Sequence, residues 1–120
     1  MKYESIRDSN SLTERFEESS RILTKYPDRI PVILEKNKYN ERQSPNLERY
    51  KYLIDKDNTL SVLLYHIRKR TKLDKSEAIY LFANGTVYSP SILMSELYEK
   101  EKDKKDNFLY LTYSTENTFG

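Results

Sequence analysis

The sequence predicts an α+β domain: one four-stranded mixed sheet with a helix crossing one face, preceded by a helical N-terminal extension. Three observations predict it. Four short apolar runs rich in β-branched or aromatic residues are bounded by turn signals. A helix-period apolar stripe separates the second run from the third, so a crossover joins them. A capped helical segment stands ahead of the first run. The length of 120 residues suits one domain with one modest core.

The elements follow in order. Ser11 and Glu14 have the spacing of a capping box. Leu12, Phe16, Ser19 or Ser20, and Leu23 then recur at helical spacing, with Ile22 beside them, until Tyr26-Pro27 ends the helix. Residues 29–35 (Arg29 to Glu35) read as a strand, with Pro31 expected at a sheet edge or strand start. The polar stretch 37–48 turns at Ser44-Pro45-Asn46, and residues 50–54 form a second short strand. A helix is expected from Thr59 to Thr71, because Leu60, Leu63, Leu64 and Ile67 share one face. Arg68-Lys69-Arg70 suits the negative end of its dipole. Residues 78–83 are a third strand, and Asn84-Gly85 is the strongest turn signal. A helix over 91–100 would face Ile92, Leu93, Leu97 and Tyr98 inward. The wholly charged run 99–106 reads as a solvated helix end and loop. Residues 108–113 are the last strand, and Ser114 to Gly120 a polar tail. A hairpin, a crossing helix and a return to the same sheet is the ubiquitin-like β-grasp order. The expected divisions are 1–27 (helical extension), 28–114 (β-grasp domain) and 115–120 (flexible C-terminal tail).

Composition narrows the chemistry. The chain has no Cys and a single His, His66, so disulfides, thiol nucleophiles and multi-histidine metal sites are excluded. His66 sits mid-helix among Leu63, Leu64 and Ile67, and Asp55 and Asp57 fall in a turn-like segment, so no catalytic pair is expected. The reading is of a protein that is not an enzyme and needs no cofactor or metal. No run of 18 apolar residues is present, which fits a cytoplasmic protein. The net charge of +2 is segregated: −1 over 1–28, +6 over 29–75 and −3 over 76–120. A basic middle suits an acidic partner, whether nucleic acid, anionic lipid or an acidic peptide, and no recognised nucleic-acid motif is present. If the first two strands pair and leave an edge open, an extended peptide can add there, drawn by Arg29, Arg49 and Lys51, with Ile33, Leu53 and Phe108 near an apolar pocket. Gly120, the terminal residue, offers an unhindered carbonyl for acyl transfer.

Several stretches together carry a resemblance. They are Tyr26-Pro27-Asp28-Arg29-Ile30-Pro31-Val32-Ile33-Leu34-Glu35-Lys36, Lys51-Tyr52-Leu53-Ile54, Ile67-Arg68-Lys69-Arg70, Ala78-Ile79-Tyr80-Leu81-Phe82-Ala83-Asn84, and the tail from Phe108 to Gly120. The chain resembles the ubiquitin-like autophagy modifiers, relatives of GABA-receptor-associated protein, from about residue 12 to its end. The resemblance implies that Gly120 is activated by an adenylating enzyme, passed as a thioester to a conjugating enzyme, and joined to phosphatidylethanolamine on autophagosomal membranes. It implies a processing or delipidating cysteine protease as a further partner.

It also implies a groove for cargo receptors and autophagy factors bearing short acidic motifs, an aromatic residue followed three positions later by an aliphatic one. Carried over by position, the aromatic pocket is Glu18, Ile22, Pro31, Ile33, Lys51, Leu53 and Phe108. The aliphatic pocket is Tyr52, Ile54, Leu63 and Ile67, and Arg29, Arg49 and Arg70 meet the acidic residues. Asp55, Asn58 and His66 depart from the family pattern around the second pocket, which is therefore expected to be more polar. Two other readings remain at this stage: a modifier attached to a protein lysine, and a non-covalent peptide-binding adaptor.

Overall fold

The computed structural model describes residues 10–37, 50–71, 73 and 76–117. Its elements run α1 (Leu12–Lys25), β1 (Arg29–Lys36), β2 (Lys51–Asp55), α2 (Ser61–Thr71), β3 (Glu77–Ala83), β4 (Thr86–Val87), α3 (Met94–Glu101) and β5 (Leu109–Asn117). The sheet order is β2-β1-β5-β3-β4. β1 pairs antiparallel with β2 and parallel with β5, and β3 is antiparallel to both β5 and β4. This is the expected mixed sheet with one strand more than predicted. The addition, β4, is two exposed residues paired with Phe82 and Ala83. The Asn84-Gly85 turn makes that pairing, with φ of 49° and 80°, both on the left-handed side that a tight hairpin requires.

β1 explains why its apolar run is continuous rather than alternating. Ile30, Val32 and Leu34 face the main core, where they meet Leu63 and Ile67 of α2, Leu97 of α3 and Leu109 and Leu111 of β5. Pro31 and Ile33 point to the opposite face, which α1 covers, and they too are buried. β1 is thus an interior strand, and Pro31, expected at a sheet edge or strand start, lies near its start. Its missing N–H is tolerated because Pro31 lies one residue before the first β5 pair, Val32 with Leu109.

The capping box forms as expected: Glu14 N donates to Ser11 Oγ at 3.1 Å, and Ser11 N to Glu14 Oε1 at 3.4 Å. The buried residue of α1 is Ser19, however, while Leu12 and Phe16 are exposed. α2 begins at Ser61 rather than Thr59, because Thr59 bridges Leu93 across the chain. The same bridge holds Leu93 extended, so α3 begins at Met94, not residue 91. Met94 and Leu97 are its fully buried residues, and Leu93, expected inward, is exposed. β5 continues through the expected tail boundary: Thr115, Glu116 and Asn117 pair with Ile79, Ala78 and Glu77.

The charged run 99–106 also differs from expectation at one residue. Asp106 is fully buried. Its carboxylate accepts from Arg15 Nε at 2.9 Å, Phe108 N at 2.9 Å and the Tyr110 hydroxyl at 2.5 Å, while its carbonyl accepts from the Ser19 hydroxyl. With its lone pairs occupied, a buried carboxylate is tolerable. These bonds fasten α1 to the sheet.

Candidate docking groove

β2 is the outer strand of the sheet, and its register fixes which of its backbone groups face outward. Leu34 N donates to Tyr50 O at 2.7 Å and Lys56 N to Asp28 O at 2.9 Å, marking these as hydrogen-bonded pairs. Alternation then makes Val32–Tyr52 and Ile30–Ile54 bonded pairs, and Ile33–Lys51 and Pro31–Leu53 non-bonded ones. The N–H and C=O groups of Lys51 and Leu53 therefore point away from β1, with no strand beyond them among the described residues.

Side chains alternate about the same edge. Tyr52 and Ile54 turn to the α2 face and join the core. Lys51 and Leu53 turn to the α1 face, where Lys51 Nζ bonds Glu18 Oε1 at 2.7 Å. Around this edge lies a cavity of about 500 Å³ lined by Arg29, Lys51, Tyr52, Leu53, Ile54, His66 and Arg70.

The residues expected for the aromatic pocket lie toward the α1 face. Pro31 pairs with Leu53 and Ile33 with Lys51, Glu18 holds Lys51, and Phe108 stacks edge-on against Tyr110, which stands opposite Ile33. Ile22 is half-buried, one turn after Glu18. Only Lys51 and Leu53 of this set line the open cavity. Ile33 and Phe108 are 1% exposed and form a closed floor.

The residues expected for the aliphatic pocket divide between groove and core. Tyr52 and Ile54 line the cavity, but Leu63 and Ile67 are 0% exposed and belong to the core. They face inward on α2, and the neighbouring row, His66 and Arg70, lines the groove instead. Of the three departures from the family pattern, only His66 reaches the cavity. Asp55 and Asn58 build the turn after β2: Asp55 accepts Asp57 N on Oδ1 at 2.9 Å and Asn58 N on its carbonyl at 3.1 Å. Arg29 and Arg70 line the groove, whereas Arg49 and Gly120 lie outside the described residues. Asp106 went unrecognised in the sequence. The signal that could have found it is an Asp two residues before a strand-initiating aromatic, placed to accept that residue's N–H.

Burial pushes the Tyr113 phenol up to about 12, helped by Tyr52 nearby. No described group of His, Cys, Asp and Glu residues has the arrangement of a metal site.

The profile of the family described as "Autophagy protein Atg8 ubiquitin like" matches residues 14–120. Autophagy-related protein 8a of Arabidopsis thaliana is 48% identical over 116 residues, 97% of this chain and 93% of its own. Autophagy-related protein 8b of the same plant is 45% identical over 120 residues, 100% of this chain and 96% of its own. The crystal structure of Trypanosoma brucei ATG8 superposes with a TM-score of 0.85 at 35% identity, covering 99% of this chain and 100% of that one. The mixed sheet, the N-terminal helix packed on its second face and these matches agree: the chain belongs to the Atg8 family of ubiquitin-like autophagy proteins.

Proposed function

We propose that this Atg8-family chain is a modifier joined through Gly120 to phosphatidylethanolamine, and that it serves on autophagosomal membranes as a docking platform for short acidic motifs. The chemistry of conjugation belongs to its activating and conjugating enzymes, and a cysteine protease processes or removes it. The observation that carries the docking half is the open edge of β2, with a side-chain face on either side and cationic groups along it. An incoming strand would bond Lys51 and Leu53 through its backbone and drop alternate side chains onto the α1 and α2 faces. The first anchor is aromatic, over Lys51 and Leu53. The second, three positions on, reaches the Tyr52 and Ile54 side and is aliphatic by the family pattern. Arg29, Arg49 and Arg70 meet acidic residues.

The conjugation half rests on family membership and on the unhindered carbonyl that a glycine offers at position 120. Among the described residues no helix is long and apolar enough to cross a membrane, so the two acyl chains of the lipid would supply the anchor. Before conjugation the protein would reside in the cytoplasm. Reconstitution with activating and conjugating enzymes, ATP and phosphatidylethanolamine liposomes tests this by intact mass. The expected product is the chain plus one phospholipid. A protein linked through lysine would replace lipid attachment by protein attachment, and failure to form any thioester through Gly120 would reduce the protein to a non-covalent adaptor.

A further inference from the structure

We propose that the cations at the end of α2 are a membrane-facing patch: with Gly120 joined to its lipid, Arg68 and Lys69 lie against the bilayer and gather anionic phospholipid headgroups around the anchor. The inference rests on conjugation through Gly120 and adds a second, non-covalent contact with the same membrane.

The sheet register places this patch beside the exit of the tail. Asn117, the last residue of β5, pairs with Glu77, the first of β3. Arg68 Nη2 donates to the Glu77 carbonyl at 2.8 Å, so the end of α2 is fastened to the point where β5 ends. Gly120 lies three residues beyond Asn117, a span of at most about 11 Å. A lipid headgroup on Gly120 is therefore held close to this end of the fold, at a distance comparable with the screening length of about 8 Å at physiological salt.

The charge at this end has the sign that an anionic surface attracts. Arg68, Lys69 and Arg70 are exposed, and the sequence runs on through Thr71-Lys72-Leu73-Asp74-Lys75 toward β3. Residues 68–75 hold five cations and one carboxylate. Glu77 and Glu116 are the acidic residues of the paired β3 and β5 ends, and with them the balance remains positive. Arg70 lines the docking groove, whereas Arg68 reaches to the Glu77 carbonyl beside the tail. Tyr65, 62% exposed, stands one helical turn before Lys69 on the same face, and its ring and hydroxyl suit the headgroup layer. Basic clusters close to a membrane anchor are drawn to anionic lipid, and a tether that holds them at the surface lets a weak attraction suffice. A soluble polyanion such as RNA has no tether to bring it to the patch.

The test uses the full chain conjugated to phosphatidylethanolamine in vesicles whose remaining lipid is phosphatidylcholine alone or phosphatidylcholine with phosphatidylserine. Amine acylation of individual lysines is followed by mass spectrometry after digestion. Lys69 reports the patch. Lys104, exposed in the loop before β5, reports the far end of that strand, which is about 26 Å long. At about 0.15 M salt, phosphatidylserine should slow acylation of Lys69 at least about threefold and that of Lys104 less than about 1.5-fold. About 1 M salt should remove the difference, and Arg68→Gln should weaken it.

Equal slowing of both lysines, slowing of neither, an effect that persists at high salt or one undiminished in Arg68→Gln overturns the inference. So does protection of Lys69 by added RNA but not by phosphatidylserine, which would assign the patch to nucleic acid. An intact mass without added phospholipid would instead remove the conjugation reading. The patch is then decided by the same lysine acylation on Gly120→Cys, which couples at one position to maleimide-bearing vesicles because the chain has no other cysteine.

Discussion

Arg15 Nε donates to Asp106 Oδ2 at 2.9 Å, joining the second turn of α1 to the loop that enters β5. The Asp106 side chain is 0% exposed and that of Arg15 only 14%, so this pair is shielded where surface pairs are not. Asp106 also orients Tyr110 and caps the start of β5 through Phe108 N. Asp106→Ala should cost about 3 kcal/mol in urea unfolding, because it removes the common acceptor of Arg15 Nε, the Tyr110 hydroxyl and Phe108 N. Arg15→Ala should cost a comparable amount by leaving a buried carboxylate short of its cation. Tyr110→Phe should cost about 1 kcal/mol. In all three, amides of α1 should exchange faster than those of β1.

Leu63 separates core from groove. As a 0% exposed member of the main cluster, its truncation to Ala should destabilise the fold by about 2–4 kcal/mol. Peptide affinity of the protein that remains folded should be nearly unchanged. A thermal melt and a binding titration on the same sample separate the two effects.

Leu53 has the opposite character. It is half-exposed, on the groove side of the edge strand, and absent from the main cluster. Leu53→Asp should weaken an acidic aromatic-bearing peptide more than about tenfold, by removing apolar contact and adding repulsion. The unfolding midpoint should move little by comparison.

Tyr113 sets an alkaline limit. Its phenol is pushed up to about 12 in the fold by burial and Tyr52, against an ordinary value near 10. The folded state therefore holds this proton where the unfolded state releases it. The contribution is fully present below pH 10 and is lost as pH rises through about 12. Wild type should lose more stability between about pH 9 and 11 than Tyr113→Phe, measured by denaturant titration at each pH.

The fold was legible wherever one residue pattern served one purpose. The β1 run Ile30–Leu34 is apolar because both faces are covered, and the α2 stripe marks a single buried side. Ser11 and Glu14 capped α1 as their spacing required. Errors fell where a distant partner decided. Leu93 is held extended by Thr59, so a helical-looking start failed there. Asp106 reads as one more charge in a charged run, and only Arg15 and Tyr110 from distant elements make it interior. The groove was legible as an alternating strand with basic flanks. Which apolar residues of α2 would be open was not, because composition does not fix how deeply a helix row sinks against a sheet. Leu63 and Ile67 sank completely, leaving His66 and Arg70 at the surface.

The central claim is strand addition on the outer edge of β2, and residue-resolved amide exchange with and without an acidic aromatic-bearing peptide tests it most directly. The N–H groups of Lys51 and Leu53 point outward, while those of Tyr52 and Ile54 already bond β1. Peptide should slow exchange at Lys51 and Leu53 by at least about tenfold and leave Tyr52 and Ile54 nearly unchanged. Tight binding with no protection at Lys51 and Leu53, or with protection confined to β3 and β4, would contradict it.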